Sequence, residues 1–450
     1  MTRHHHSGEA MNNSNTNNLV GFGLRTIGRL GALPVLDRFG LRKPTQKALF
    51  HAARSGFRTV GIANRAFKST QKLLQPQRPS KRDAADLFDI TPTEEQTMLR
   101  DAAAAFANEQ LRPAASAADT ACAAPADLLK QSADLGIAML GIPESLGGAG
   151  GERSAVTGVL VAEALAQGDM GLALACLAPS AVSQALVLWG DQAQQAKYLP
   201  AFVGEHPPVA ALAILEPRPL FDPLQLQTTA KKSGKDYILN GVKSLVPGAA
   251  TAELFVIAAA LEDGGPGLFV VESSTQGLTI EAEPAMGLRA AATARVHFEN
   301  VKLPAQALLG GADAAVYSEC LALSRLGWCA LAVGTGQAVL DYLIPYVNER
   351  VAFGEPISNR QAVAFAVANV GIELGGMRLA TYRAASRVEQ DKSFLREVAV
   401  ARRLCADKGM AIGSDGVQLL GGHGFVKEHP VERWYRDLRA CALMEGVLLI

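Results

Sequence analysis

Nowhere does the chain run about 18 apolar residues without interruption, the length a membrane-spanning helix needs, although 49% of its 450 residues are hydrophobic. That apolar content is therefore read as the core of a soluble or surface-attached protein. Cysteine is sparse and unpaired. Cys122, Cys176, Cys320, Cys329, Cys405 and Cys441 are scattered, with no CxxC and no disulfide-rich density, so they are expected to be reduced and mostly buried. Acid is almost missing from residues 1 to 82, which hold fifteen Lys and Arg against only Glu9 and Asp37. The formal charge is zero overall, so the rest carries 28 basic and 41 acidic residues, and the two parts must face different partners. The length exceeds a typical single domain and points to two or three units.

Residues 1 to 18 are polar and too poor in apolar groups to fold, and the run His4, His5, His6 reads as a tag remnant or solvated tail, with no metal inferred. A basic extension and linker occupy 19 to 85. Within it, Lys47, Arg54, Arg58, Arg65 and Lys72 superimpose at a repeat of about 3.6 residues, opposite Leu49, Ala53, Phe57, Val60, Phe67 and Leu74. Residues 44 to 74 are thus expected to form a basic amphipathic helix. Alanine- and leucine-rich helical patterns fill 86 to 208. From 209 to 311 the texture changes to short β-type runs such as YILNGV, ELFVIAAA, GLFVV and ARVHF, a β-domain. From 312 to 450 long helical patterns return at 314–348, 360–389 and 394–420, with a last helix expected near 431–445.

This order, and the run RVAFGEPISNRQ at 350–361, resembles the acyl-CoA dehydrogenase family. The resemblance covers about residues 90 to 447 and includes GIPESLGGAG at 141–150 and WGDQAQQAKYLP at 189–200. It implies an α+β fold: an N-terminal helical domain, a central β-domain and a C-terminal four-helix bundle, here preceded by the basic extension. It also implies FAD, with Arg350, Phe353 and Gln361 reaching the pyrophosphate and adenine side of a cofactor bound mainly by a neighbouring subunit. An arginine fork suits phosphate oxygens. A second match, VQLLGGHGFVKEHPVERWYRD at 417–437, adds Gln418, Gly421 and Gly422, where missing β-carbons let the backbone approach a cofactor. His423 and His429 receive no catalytic role and are read as loop hydrogen-bonding groups.

In MEGVLLI, Glu445 and Gly446 fall on the family's catalytic Glu-Gly position, so the resemblance makes Glu445 the base that removes the substrate's α-proton. A thioester acidifies its α-carbon only modestly, so such a carboxylate must sit in a dry pocket. Met444 and Gly446 are expected beside the substrate. Some members carry the base on an earlier helix, just before an arginine matching Arg325; here that position is Ser324, which has no carboxylate. The sequence therefore fits the late-glutamate branch and leaves Arg325 at the pocket, or in a structural ion pair.

The β-domain departs from the family where flavin is usually contacted. Glu216, Pro217 and Asp222 persist in LEPRPLFDP, but Leu215 and Phe221 replace Thr and Ser, removing two hydroxyls. In NGVKSLVPG, Leu245 and Pro247 replace Trp and Thr, and proline lacks even the N–H. Val447 replaces a common threonine.

The expected reaction is α,β-dehydrogenation of an acyl-CoA to a trans-2-enoyl-CoA, with hydride passing to flavin N5 and an electron-transfer flavoprotein as acceptor. A homodimer or homotetramer is implied. The amphipathic helix would hold the protein at an anionic membrane surface, with docking on the acidic catalytic body, a subunit contact or organelle targeting as the alternatives; the expected location is the cytoplasm or, in a eukaryote, the mitochondrion. The altered flavin motifs leave open a non-catalytic or weakly flavinated scaffold. The single basic helix also raises a nucleic-acid-binding relative, but it lacks the aromatic interleaving such binding uses, and no nucleic acid is expected.

Overall fold

The computed structural model describes residues 88, 91–148, 153–262, 265–446 and 449–450. The basic extension, its helix at 44–74, the histidine run and Val447 lie outside the described residues.

The helical part begins at α1 (Glu94–Phe106), where Thr93 and Gln96 close a reciprocal capping box that satisfies two otherwise orphaned donors. A π-helical turn (Ala107–Leu111) leads into α2 (Arg112–Ala121), followed by α3 (Ala126–Asp134). The small residues of α4 (Ala155–Gly168) and α5 (Met170–Trp189) let both helices bury nearly all round. Asp169 caps α5 by accepting the Leu172 N–H. Another capping box, Asp191 with Gln194, starts α6 (Gln192–Phe202).

The β-domain is one mixed sheet of β1 (Ala210–Ala213), β2 (Thr229–Ser233), β3 (Asp236–Val246), β4 (Leu254–Leu261), β5 (Pro266–Glu272), β6 (Leu278–Ala282), β7 (Ala294–Pro304) and β8 (Leu308–Leu309). Its order is β6-β7-β3-β2-β4-β5-β8, with β1 alongside β4 in parallel. The four runs singled out in the sequence are β3, β4, β5 and β7. Strands β2 and β6 carry mostly polar or exposed positions, which hides them from an apolar-periodicity reading.

α7 (Ala314–Glu349) is the central spine, with most of its residues buried. A short hairpin of β9 (Val351–Ala352) and β10 (Glu355–Pro356) connects it to α8 (Gln361–Glu389). α9 (Leu395–Leu420) and α10 (Val431–Leu438) complete the C-terminal helices. α5, α7 and α8 are long and apolar enough to cross a membrane by length and composition alone, but in α5 and α7 that stretch is 78% buried inside the fold, against 17% in α8. The helix expected to run to residue 445 does not. It breaks at Arg439, resumes for one turn as α11 (Ala440–Leu443), and leaves Glu445 beyond its end. All six cysteines are free thiols, and all but Cys122 are buried.

Candidate active site

Met444, the residue after α11, turns extended at φ −83, ψ 140, and Gly446 follows at φ +67, a conformation glycine reaches without steric cost. The Gly446 N–H does not continue a helix; it donates to Ser324 Oγ on α7 at 2.9 Å. Ser324 is fully buried. Thus the serine that offers no carboxylate has a different task, pinning the turn that carries Glu445. A β-carbon on Gly446 would sit 2.2–2.4 Å from Ile214 side-chain atoms, so the turn presses directly on the residue that follows β1.

Glu445 is 7% exposed, and its carboxylate is forked by Arg325. Arg325 Nε donates to Oε1 at 3.1 Å and Oε2 at 3.0 Å, and Nη2 donates to Oε1 at 2.9 Å. Arg402, on α9, donates from Nη2 to the Met444 carbonyl at 3.0 Å and lies 3.4 Å from Oε1. Sequence reasoning missed Arg402, because the pair Arg402-Arg403 gives no local sign of which guanidinium turns inward. The fully buried Tyr317 donates its hydroxyl to the Pro223 carbonyl at 2.6 Å. Burial above all, with the neighbouring Cys320 and Glu445, pushes its phenol well above the ordinary range.

The β-domain side is anchored by a buried ion pair. Lys243 Nζ donates to Glu216 Oε1 at 2.9 Å and to the Ile214 carbonyl at 3.0 Å, while Glu216 also accepts the N–H groups of Gln227 and Thr228, both at 2.8 Å. Burial pushes the Lys243 ammonium down to about 8 against the pull of Glu216. Burial also works to raise Glu216, but Lys243 and the two N–H bonds outweigh it and hold the carboxyl below its usual range. The geometry favours the charged pair, since the carboxylate has three donors. This pair fixes residues 214 to 216, and the Ser244 N–H bonds the Leu215 carbonyl. Leu215 is buried, Phe221 half-buried, Leu245 half-buried at φ +52, and Pro247 buried. Leu245 N–H and Ser244 Oγ are both spent on Glu283. This side is therefore apolar.

A second group of the expected residues faces outward. Arg350, Gln361, Gln418, Gly421 and Gly422 are exposed, and a β-carbon on either glycine would meet nothing within 4 Å. Phe353 is 94% exposed at φ +55 and, with Gly354 at φ +84, forms the two-residue turn of the β9–β10 hairpin, whose handedness requires positive φ at both positions. The Arg360 guanidinium lies over its ring at 5.0 Å. Tyr346 near the end of α7 bonds both the Leu420 carbonyl and His423 Nδ1, the latter at 2.9 Å, and Tyr342 bonds His429 Nδ1 at 2.6 Å. The two imidazoles stack at 5.0 Å. Both histidines are loop anchors, placing the 418–422 segment beside the turn that carries Arg350. Among the described residues, no hydrogen bond or ion pair joins this outward group to Glu445.

An FAD needs donors for its phosphates and an apolar surface for its ring system. The outward group has an exposed guanidinium, amides and uncovered glycine backbone, and the half-buried Phe221 and Leu245, with Leu215 and Pro247 buried, are apolar side chains without hydroxyls. In chemical type these residues fit that cofactor.

Comparison with known proteins agrees across the whole described body. Residues 93–205, 211–301 and 311–448 match the N-terminal, middle and C-terminal domains of acyl-CoA dehydrogenase, respectively. The short/branched chain specific acyl-CoA dehydrogenase of Rattus norvegicus mitochondria is 34% identical over 366 residues, 79% of this chain and 83% of that protein. Butyryl-CoA dehydrogenase from Megasphaera elsdenii superimposes with a TM-score of 0.74 at 29% identity, covering 80% of this chain and 96% of its own. The FAD complex of PigA superimposes with a TM-score of 0.73 at 26% identity, covering 80% and 96%. With the helical, β and helical parts each matched in order, this chain belongs to the acyl-CoA dehydrogenase family, FAD-binding oxidoreductases.

Proposed function

We propose that this protein oxidises an acyl-CoA thioester at its α,β carbon–carbon bond, with Glu445 as the base. The observation that carries the reading is a nearly buried carboxylate on a rigid turn, set by Gly446 against Ser324 and Ile214 and faced by two guanidinium groups. Desolvation and fixed position are what a carboxylate needs to attack a weakly acidic C–H. Glu445 accepts the α-proton, the C–H electron pair becomes the new π bond, and the β-hydrogen leaves as hydride to give a trans-2-enoyl-CoA. When bound, FAD supplies the hydride acceptor. Arg325 must loosen its fork on Glu445 as substrate enters, because an oxygen lone pair has to face the α-carbon. Met444 and Leu215, both buried, help keep water from the reacting atoms.

Arg350, Phe353, Gln361, Gln418, Gly421 and Gly422 would hold the phosphate and adenine side of an FAD shared with a second copy, and their exposure supports that reading. The enzyme is thus a homodimer or a dimer of dimers, with an electron-transfer flavoprotein as acceptor. Purified protein should contain FAD, and a medium- or long-chain acyl-CoA should bleach its oxidised absorbance without oxygen. Glu445→Gln should keep the flavin and lose turnover about 10²–10⁴-fold. Near-normal turnover in that variant would sink the role of Glu445, and folded protein that takes up no added FAD would favour a scaffold.

A further inference from the structure

Two adjacent arginines on α9 have opposite fates. The Arg403 side chain is 80% exposed and pairs with Asp407 one turn on, whereas that of Arg402 is only 12% exposed. Arg402 lies between Val398 and Cys405 on the edge of the buried stripe of α9, which includes Val398, Ala401, Cys405 and Gly409. Burying a guanidinium costs several kcal/mol unless its donors are well used. Arg402 uses them sparingly. Among the described residues its oxygen acceptors are the Met444 carbonyl and Glu445 Oε1, both facing Nη2, and its buried Nη1 has no hydrogen-bond partner. So poorly satisfied a charge is a weak structural strut; what it does supply is a fixed positive field next to one carboxylate.

The two arginines also grip Glu445 unequally. Arg325 makes the closer contacts but is 30% exposed, so solvent or an incoming thioester can replace what it loses. Arg402 is enclosed and tied to the backbone carbonyl of the residue just before Glu445. The two carboxylate oxygens differ as well. Oε1 faces both guanidiniums, while among the described residues Oε2 receives only Arg325 Nε at 3.0 Å. If Arg325 swings away, Oε2 is freed and Oε1 is still held.

We propose that Arg402 is the permanent counter-ion and positioning residue of Glu445, holding Oε1 and the Met444 carbonyl while Oε2 meets the α-proton. Arg325 is the exchangeable partner. This rests on Glu445 being the base. Among the described residues, the remaining groups bearing on the carboxylate are Tyr317 on α7 and Cys441 on α11, with Ser324 one residue away through Gly446. Around Arg402 lie the thiols of Cys441 and Cys329. None of these can replace a fixed cation near neutral pH.

The test compares Arg402→Gln, Arg402→Met and Arg402→Lys in the full-length flavinated protein. Glutamine can still donate to the Met444 carbonyl but carries no charge; methionine removes a buried charge with little change in volume, so it should fold; lysine keeps the charge. The uncharged variants should lose at least tenfold in kcat, with KM for acyl-CoA within about threefold. Arg402→Lys, which keeps the charge, should recover most of the lost kcat. Wild-type kcat in the uncharged variants, or an equal loss in Arg402→Lys, would overturn the proposal. Turnover surviving Glu445→Gln would instead refute the base itself, without any change at Arg402.

Discussion

A single hydrogen atom at position 446 decides where the proposed base can sit. The space a side chain would need there is taken by Ile214, with contacts of 2.2–2.4 Å to a hypothetical β-carbon, and φ is +67. Gly446→Ala therefore meets overpacking and backbone strain together, at an expected cost of about 2 kcal/mol or more. The turn would have to slide away from Ser324, taking Glu445 with it. A displacement of about 1 Å at a reacting group can cost about a hundredfold in rate, so kcat should fall by that order while FAD content holds. Trimming the obstruction gives the check: Gly446→Ala with Ile214→Ala should recover much of the lost kcat, measured beside thermal melts of both variants. No recovery would mean that backbone conformation alone, and not the Ile214 contact, sets the turn. The glycine was readable from its place after the glutamate; the residue pressing on it was not, because Ile214 lies more than two hundred positions earlier in the chain.

At the scale of elements, α8 is the exception to the burial of its neighbours. Phe365, Ile372 and Leu379 recur every seven residues and are 62%, 70% and 52% exposed, an apolar stripe on one face of the helix. Such a stripe marks an interaction surface, and a second copy of the chain is the occupant that the proposed shared FAD site requires. Ile372→Glu should weaken self-association by at least about a hundredfold and lower flavin retention with it, read by sedimentation velocity and by absorbance of the same sample. A variant that stays assembled would place the subunit contact elsewhere. The long elements were legible in the chain for a physical reason: α7, α8 and α9 are long runs rich in helix-forming residues, β4 and β5 are apolar runs, and β3 and β7 carry β-branched and aromatic residues in partial alternation. Edges and breaks were less so. β2 and β6 are half-solvated strands, and the stop after Leu443 depends on the Gly446 N–H finding Ser324 across the fold, a contact no local window contains. The position of Glu445 and a pocket place for Arg325 came through the resemblance; the contacts of Arg402 and Ser324 with this turn came only from packing.

Across the whole molecule, α10 is the latch between the three parts of the fold. Arg433 donates to Asp169, the cap of α5, at 2.9 Å, and Arg436 forks Asp119 of α2 at 2.8 and 3.0 Å and also reaches the Met286 carbonyl. Asp437 accepts the Leu288 N–H from the β-domain at 2.6 Å. Asp437 is 2% exposed, and burial first, then the nearby Asp169, push its carboxyl up to about 8, against the Leu288 bond and the two arginines. Because the folded value lies above the ordinary 3.8, the folded state binds this proton more tightly than the unfolded chain does. The stability it contributes is fully present below about pH 4 and is lost progressively as pH rises to about 8. Asp169, also raised chiefly by burial, acts in the same direction. Asp437→Asn keeps an oxygen for the Leu288 N–H and carries no charge at any pH, so it removes the share of this dependence that Asp437 contributes. Its melting temperature should exceed that of wild type at pH 8.5 by at least about 2 °C, on the scale of 1 kcal/mol for a chain of this size, and the gap should narrow toward pH 5. A gap that stays constant across this range would show that Asp437 is ionised throughout, held so by Arg433 and Arg436, and that the latch is an ion cluster instead of a protonated one.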